Sequence, residues 1–379
     1  MPKILRVTTI PISLNLLLKG QLSYAQKHGF EVITASADGD DISLIKEREG
    51  VKHFVIPFTR VISPWQDLVC LWRTIQLIRV EKPEIIHSHT PKAGLIAMLA
   101  GKICGVKHRI HTVAGMPLME ASGISKLILT VTEFLTYWSA THVFPNSQNL
   151  ESWIKSNFTV AHKKLKVIGK GSSNGIDTNY FDTTEALRSK ATEFRACNNI
   201  SENAMVFCFV GRLVRDKGIV ELVAAFDSLT VDNTYLVLVG NYEDQREPLT
   251  VETKNKIRLN EKIIAVGFQS DIRMYLAASD VFVFPSYREG FPNALLQACA
   301  MGLPSIATNI NGNNEIIQPG QNGLLIETKN TSQLKESMEE LCLNASLRTK
   351  LAANARPSIM DYKQENVWQL ILQEYQKLM

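Results

Sequence analysis

The 379-residue chain lacks three features that would place it in a special class of proteins. Its six cysteines are scattered, without the paired spacing of a disulfide framework or a zinc site, which predicts buried free thiols in a reducing compartment. Its longest apolar-looking stretch, 127–138, is interrupted by threonines and a glutamate and is shorter than the roughly 20 residues of a spanning helix. No secretory signal precedes the first strand pattern, so a cytoplasmic location is expected.

The chain also has little net charge, since 41 Lys and Arg against 37 Asp and Glu give only +4. This total does not indicate nucleic acid as a partner. The charge is unevenly distributed, because residues 1–172 carry 21 basic and 12 acidic side chains, whereas residues 173–379 carry 20 and 25. The first part is therefore basic, at +9, and the second is acidic, at −5.

Short β-branched runs alternate with longer helical patterns, which is typical of parallel sheets covered by helices. Several runs are apolar on both faces, as a sheet buried on both sides requires. The predicted strands form two series, 4–9, 31–36, 53–56, 85–89, 109–112, 142–145 and 165–168, then 205–210, 235–239, 263–266, 281–284, 305–307 and 324–326. We therefore expect an α/β fold of two Rossmann-like, doubly wound domains that face a cleft lined by the carboxyl ends of both sheets.

A turn-rich segment at 169–175 separates the two series of strands. Its glycines and small polar residues cannot hold a regular element, so the predicted domains are 1–172 and 173–357. Apolar residues recur at helical spacing in the last segment, 358–379. We expect this helix to bury its apolar face by packing back on the first domain.

A glycine turn with two cations follows the predicted strand at 205–210. Gly211 and Arg212 come directly after the strand, and Lys217 precedes the next helical pattern. Backbone amides at such a turn can approach an anion, a guanidinium forks onto phosphate oxygens, and a lysine adds a point charge. The pattern favours a diphosphate site over the alternative, a solvated turn.

A second strand, loop and helix pattern spans 284–298. Glu289 lies in its glycine-containing loop, where a carboxylate can accept hydrogen bonds from sugar hydroxyls. Gln297 follows about two helical turns later. It either faces the same site or is a surface glutamine.

Three histidines stand at the ends of predicted strands in the first domain. His87 and His89 share one face of a strand, but no third ligand accompanies them, so no metal site is predicted. They are either structural histidines or, for His89 together with Lys92, contacts to an acceptor. His111 either caps its strand or places an imidazole where it steadies developing charge.

The chain resembles, over nearly its whole length, the retaining glycosyltransferases of family four, which have the GT-B fold. Seven landmarks carry this resemblance, and they occur in the family's order. They are 174–177 with Phe181, 211–218, 266–268, 278–280, 285–292, 300–304 and 320–325.

By this resemblance, the predicted catalytic residues are Glu289, His111, Arg212 and Lys217. Gly211, Arg212 and Lys217 are expected to bind the donor's pyrophosphate, the backbone at Gly267 and Phe268 its nucleobase, and the loop Glu289, Gly290, Phe291, Pro292 and Asn293 its sugar. Gln297 faces the ribose where the family has a second glutamate. The opening loop lacks the two adjacent glycines of many members, and Ser13 is the candidate contact there, on the acceptor side with His89 and Lys92.

The resemblance also implies an activity, namely a metal-independent hexosyltransferase with no cofactor beyond its nucleotide-sugar donor. It implies transfer of a hexosyl or N-acetylhexosaminyl group, with anomeric retention, to a polyprenyl-diphosphate-linked saccharide in capsule or lipopolysaccharide synthesis. Two alternatives are a nucleotide-sugar epimerase of the same fold and, given Gln297, a non-catalytic nucleotide-sugar-binding subunit.

The basic first domain predicts a peripheral position on the anionic inner face of the cytoplasmic membrane. Apolar side chains at helical spacing could rest on the lipid, although such a stripe is more often part of a core. They are Trp65, Leu68 and Trp72 in one segment, and Leu127, Ile128, Phe134 and Trp138 in another.

Overall fold

The structure is a computed structural model that describes residues 1–59, 61, 63–119, 121–243 and 247–379. It divides into two compact units, which we call unit 1, Met1–Gly175 with Gln364–Met379, and unit 2, Ile176–Lys363. Each contains a six-stranded parallel sheet with flanking helices. The predicted α/β class with two Rossmann-like domains is confirmed.

Unit 1 has the strand order β3-β2-β1-β4-β5-β6. Its strands are β1 (Lys3–Val7), β2 (Glu31–Ser36), β3 (Lys52–Val55), β4 (Ile85–His89), β5 (His108–Val113) and β6 (His142–Pro145). Its helices are α1 (Pro11–Leu17), α2 (Gln21–Lys27), α3 (Asp41–Glu49), α4 (Pro64–Glu81), α5 (Pro91–Ile103), α6 (Gly123–Ser139), α7 (Gln148–Asn157) and, from the C-terminal segment, α16 (Gln364–Leu378).

Helix α16 completes the core of unit 1. Its apolar face, which includes Val367, Ile371 and Tyr375, is buried against residues such as Ile4 and Leu22. With this helix included, unit 1 carries 22 basic and 14 acidic side chains, and unit 2 carries 19 and 23. The charges of the two units are therefore +8 and −4.

Unit 2 repeats the architecture, in the order β12-β11-β10-β7-β8-β9. Its strands are β7 (Met205–Val210), β8 (Thr234–Val239), β9 (Ile263–Gly267), β10 (Val281–Phe284), β11 (Ser305–Thr308) and β12 (Gly323–Ile326). Its helices are α8 (Glu185–Cys197), α9 (Ile219–Asp227), α10 (Val251–Leu259), α11 (Arg273–Ala277), α12 (Asn293–Ala300), α13 (Asn313–Ile316), α14 (Thr331–Leu343) and α15 (Ala345–Ser358).

Each sheet has a switch point, where the strand order reverses between two neighbouring strands. In unit 1 these strands are β1 and β4, and in unit 2 they are β7 and β10. The loops after the two strands diverge there and leave a crevice at the carboxyl edge, which is the usual ligand position in open α/β sheets. Both switch points are therefore candidate ligand positions.

Two sequence predictions are wrong. The predicted strand at 165–168 is a single parallel bridge between Val143 and Leu165, because the chain leaves the sheet edge for the turn at Gly169. The expectation of buried cysteines fails at Cys197, which is exposed at the last position of α8.

Candidate functional site

The switch point of unit 2 brings together two predicted residues that are 72 positions apart in the chain. Lys217 Nζ donates to Glu289 Oε1 at 2.5 Å, and the side chains are only 14% and 13% exposed. Lys217 arrives from the turn after β7 and Glu289 from the loop after β10. This is a largely desolvated ion pair in the crevice where a ligand is expected.

Close backbone approach holds these two loops together. Gly218 has φ +70°, and a Cβ there would lie 2.0 Å from the carbonyl oxygen of Pro285. Only glycine fits this position. The Tyr287 amide donates to the carbonyl of Asp216 at 2.8 Å, so the residues on either side of Lys217 are both held against the loop after β10.

Sequence reasoning missed several residues that support the Glu289 loop. Asp216 is 6% exposed and accepts from Arg288 at 3.1 Å, while its Oδ1 is buried without a hydrogen-bond partner. From the turn after β11, Asn311 Nδ2 donates to the carbonyl oxygens of Glu289 and Gly290, at 3.3 and 3.1 Å. Asp216 was detectable as the acid between the two cations of its motif, whereas no local signal marks Asn311.

Arg212 lies at a more open position than Lys217. Its guanidinium donates to Glu243 at 2.8 Å and lies 3.8 Å from Asp216, and both Arg212 and Glu243 are about two-fifths exposed. An exposed pair of this kind contributes little to stability and exchanges readily. The Arg212 side chain can therefore reorient to bind a ligand.

The remainder of the predicted sugar loop leads into α12. Phe291 and Pro292 are buried, and the Phe291 ring packs on Tyr362 with 5.1 Å between centroids, so these side chains anchor the loop. Asn293 opens α12 without a side-chain cap, and Gln297 is half-buried one turn further on. Unpaired amides at a helix start favour an anion.

The predicted nucleobase segment ends β9. The Phe268 side chain is 69% exposed, and its amide donates to Asn241 Oδ1 at 2.9 Å. Gly267 accepts from the Gly240 amide, and Gly211 donates to Val239, each at 2.9 Å. Asn241 thus accepts from the backbone amide of Phe268, which the resemblance assigns to a nucleobase. The sequence analysis did not predict a role for Asn241.

The switch point of unit 1 contains a buried arginine whose hydrogen-bond partners are neutral. Arg6, on β1, is 1% exposed and bonds Tyr375 Oη, Gln21 Oε1 and His89 Nε2 at 2.8, 2.6 and 2.9 Å. Because Arg6 can only donate, the Tyr375 oxygen accepts from it, and the Tyr375 hydroxyl donates a hydrogen bond to His87 Nδ1, 2.5 Å away. His87 Nε2 then donates to Thr112 Oγ1 at 2.7 Å.

His87 and His89 lie on one face of β4, as predicted, and their rings stack with 4.4 Å between centroids. Burial, followed by the charge of Arg6, holds the pKa of both well below the usual value. His89 accepts from Arg6, so its proton is on Nδ1, which is buried and has no hydrogen-bond partner. A buried N–H without a hydrogen-bond partner is uncommon in a folded protein.

His111 is buried beneath α5. A Cβ at Gly94 would lie 2.3 Å from its Cε1, and its Nδ1 is 2.9 Å from Ser88 Oγ. Burial lowers the pKa of His111 to about 4, so the imidazole is neutral at pH 7. This placement favours the structural interpretation of His111, and its catalytic role stays a prediction.

The other two acceptor-side candidates also lie at this edge of the sheet. Ser13 is half-buried in the first turn of α1, after β1. Lys92, at the start of α5, donates to Asp67 at 2.7 Å, to Thr59 at 3.2 Å and to the Val61 carbonyl. Its ammonium is thus bound within unit 1.

No group of three or more His, Cys, Asp or Glu in the described part of the chain has the arrangement of a metal site. Likewise, none of the described helices combines the length and apolar character needed to cross a bilayer.

Comparison with known proteins identifies the family. Residues 21–180 match the model of Glycosyltransferase Family 4, and residues 190–358 match that of Glycosyl transferases group 1. The chain is 30% identical over 372 residues, 97% of its length and 95% of the relative's, to the capsular polysaccharide biosynthesis glycosyltransferase CapM of Staphylococcus aureus. It is 31% identical over 303 residues, 76% of each chain, to the Escherichia coli UDP-Gal:alpha-D-GlcNAc-diphosphoundecaprenol alpha-1,3-galactosyltransferase.

Solved structures agree on the fold. HepE of Anabaena, in complex with UDP-glucose, superposes with a TM-score of 0.81 at 20% identity and full coverage of both chains. WaaG, a glycosyltransferase involved in lipopolysaccharide biosynthesis, superposes with a TM-score of 0.74 at 16% identity, again over both whole chains. The chain belongs to glycosyltransferase family 4 and has the GT-B fold.

Proposed function

We propose that this protein is a retaining glycosyltransferase of surface polysaccharide synthesis. It transfers a hexosyl or N-acetylhexosaminyl group from a nucleoside-diphosphate sugar to a polyprenyl-diphosphate-linked saccharide. The observation that carries the proposal is the Lys217–Glu289 pair at the switch point of unit 2. It sets a cation suited to a diphosphate beside a carboxylate suited to sugar hydroxyls.

The relatives support the choice of donor and acceptor. HepE is described in complexes with UDP and with UDP-glucose, and the Escherichia coli relative is named for a UDP-galactose donor and a diphosphoundecaprenol-linked acceptor. A Campylobacter jejuni relative, 26% identical over 338 residues, is also named for a diphospho-undecaprenol acceptor. We extend this chemistry to the present chain, with a uridine diphosphate sugar as the first donor to test.

Catalysis in this proposal is mainly positioning and electrostatic stabilisation. The donor breaks the Lys217–Glu289 pair. Its diphosphate then binds Lys217 and Arg212, and its sugar hydroxyls donate hydrogen bonds to Glu289. The bond from the anomeric carbon to the diphosphate then breaks, the bond to the acceptor oxygen forms on the same face, and the acceptor proton passes to the departing diphosphate. Two protein cations supply the positive charge, so no metal or further cofactor is assigned.

The proposed acceptor is lipid-linked, so the protein is expected to work at the anionic inner surface of the cytoplasmic membrane. Unit 1, with its charge of +8, is the part that an anionic surface attracts.

The test is release of nucleoside diphosphate from the purified protein, with and without a polyprenyl-diphosphate-linked saccharide. Lys217→Ala should lower turnover by about 10²–10³-fold, while Lys350→Ala, which removes an exposed lysine of α15, should leave it unchanged. NMR of the product should show the anomeric configuration of the donor. Full activity of Lys217→Ala would contradict the diphosphate assignment.

The same assay separates the two alternatives. An epimerase converts the donor sugar without an acceptor, and a binding subunit binds the donor without turnover. Either result would contradict the proposed transferase.

A further inference from the structure

Three helices of unit 1 form one layer on the same side of its sheet. The connections β3-α4-β4, β4-α5-β5 and β5-α6-β6 all advance in one direction along the strand order. Right-handed crossovers therefore place α4, α5 and α6 on the same side, and α5 contacts both neighbours. The outward sides of α4 and α6 belong to a single surface.

Helix α6 is inverted relative to an ordinary surface helix. Its inward side carries Tyr137 together with three polar residues, since Glu133, Thr136 and Ser139 are also buried. Its outward side carries large apolar residues at helical spacing, Ile124, Leu127, Val131, Phe134 and Trp138, and all five are exposed. An amphipathic helix in a soluble protein normally points this stripe into the core.

Helix α4 adds three more large side chains to this layer. Trp65 is 77% exposed, and Leu68 and Trp72 are more than half exposed. We call these three residues, together with the five of α6, the outer apolar face. The alternative interpretation of these stripes as core is wrong, because their large apolar side chains are exposed on both helices.

The exposed charges on α4 and α6 are positive, since the two acids of α4, Asp67 and Glu81, form ion pairs with Lys92 and Lys3. Lys126, Arg73 and Arg79 are exposed on α6 and α4, and Lys102 Nζ lies 2.8 Å from the centre of the Trp138 ring. The only acidic residue of α6, Glu133, is buried, and burial raises its pKa to about 7. A second copy of the chain would bring like charges together, whereas anionic headgroups complement them.

We propose that the outer apolar face inserts into an anionic lipid bilayer, with α6 lying in the plane of the interface. Leu127, Val131 and Phe134 enter the acyl region, the tryptophans lie at headgroup level, and the cations bind lipid phosphates. The proposal deepens the proposed function, since it names the surface that brings unit 1 to a lipid-linked acceptor. The chemistry at Lys217 and Glu289 does not depend on it.

The experiment is flotation of the full chain with vesicles of equal parts phosphatidylglycerol and phosphatidylcholine, at low and high salt. The triple variant Leu127→Ser, Val131→Ser and Phe134→Ser should bind at least about tenfold more weakly at both salt concentrations. The matched control, Val251→Ser, Leu259→Ser and Leu343→Ser, changes three apolar residues of unit 2 that are at least 73% exposed, and it should bind like the wild type.

A charge variant separates the two contributions. Arg73→Gln with Lys126→Gln should weaken binding at low salt and have little effect at high salt, where headgroup attraction is screened. Unchanged vesicle binding by the triple variant would overturn the proposal, and so would a lipid-free dimer of the wild type that this variant converts to a monomer. UDP binding should be the same in all variants, so failure of the docking proposal is distinguishable from failure of the transferase proposal.

Discussion

The two units differ in what surrounds the cation at the switch point. In unit 1 its partners are neutral groups, and in unit 2 its partner is a carboxylate. In unit 1, Arg6 is buried and bonds a tyrosine, a glutamine and a histidine. In unit 2, Lys217 bonds Glu289, which lies in a loop at the edge of the crevice. The same topology thus supports a fixed hydrogen-bond network in one unit and an exchangeable ion pair in the other.

The difference has a physical cause. The partners of Arg6 come from β4, α2 and α16, so moving the guanidinium would disturb three elements of the core. The partners of Lys217 and Arg212 are carboxylates of loops, and a diphosphate can take the place of a carboxylate as acceptor of their hydrogen bonds. We infer that unit 1 uses its polar cluster mainly for structure and that unit 2 uses its own for ligand exchange.

Acidification should produce the largest difference in stability between the two units. All eight histidines lie in unit 1, and burial lowers the pKa of His87, His89 and His111. The unfolded chain takes up protons below about pH 6.5, while the folded unit resists protonation until about pH 4 in the case of His111. The contribution of these histidines to the free energy of unfolding is therefore fully present above pH 6.5. It falls on acidification by up to about 1.4 kcal/mol per pH unit for each imidazole.

Hydrogen exchange at pH 7 and pH 5, corrected for intrinsic rates, measures this difference. Peptides of β1, β4 and β5 should lose protection at pH 5, while peptides of β7 and β10 should retain it. Equal loss in both units would contradict the comparison.

Removal of each switch-point arginine should have different consequences for stability. Arg6→Ala leaves a cavity and three buried groups without their donor, so the free energy of unfolding of unit 1 should fall by about 3 kcal/mol or more. Arg212→Ala removes an exposed pair and should cost less than about 1 kcal/mol. Urea denaturation followed in both variants measures this, and similar losses would show that Arg212 is also a structural residue.

Restoring the family's second glutamate at position 297 should strengthen ligand binding in unit 2. Gln297→Glu gives the ribose a charged acceptor, so nucleotide-sugar affinity should rise about three- to tenfold. Calorimetric titration with UDP-glucose measures the change. Unchanged or weaker binding would place residue 297 away from the ribose.

The smallest effect is expected at the exposed partner of Arg212. Glu243→Gln frees Arg212 from a pair that is worth at most about 1 kcal/mol, so UDP affinity should increase by a factor of about five or less. Titration of both proteins with UDP tests this. A larger gain would show that Arg212, rather than Lys217, dominates diphosphate binding.

Much of the fold was predictable because buried parallel strands are continuous apolar runs, as at 205–210 and 281–284, and these coincide with β7 and β10. The run at 165–168 looked similar, but the turn at Gly169 ends its pairing after one bridge. Periodicity predicted the α6 stripe but not its direction, since a helical pattern does not specify which side meets the sheet.

The candidate site was predictable only where residues lie in local motifs. Lys217 and Glu289 each follow a strand and precede a helix, and parallel topology brings such positions to one edge of the sheet. Asn311 and Asn241 act through contacts that span 21 to 27 positions of the chain, and Arg6 meets Tyr375 across 369. Long-range partnerships of this kind have no signature in a single sequence.

The most direct test of ligand exchange at Lys217 is the effect of Glu289→Gln on UDP and UDP-glucose binding, measured by calorimetry. The control is Glu193→Gln, which removes the charge of an exposed glutamate of α8. The substitution keeps the side-chain shape but removes the charge that competes for Lys217. We predict that UDP binds about three- to tenfold more tightly, while UDP-glucose gains less because its sugar hydroxyls lose a charged acceptor. Unchanged affinity for both ligands in Glu289→Gln would contradict the claim that the donor replaces the Lys217–Glu289 pair.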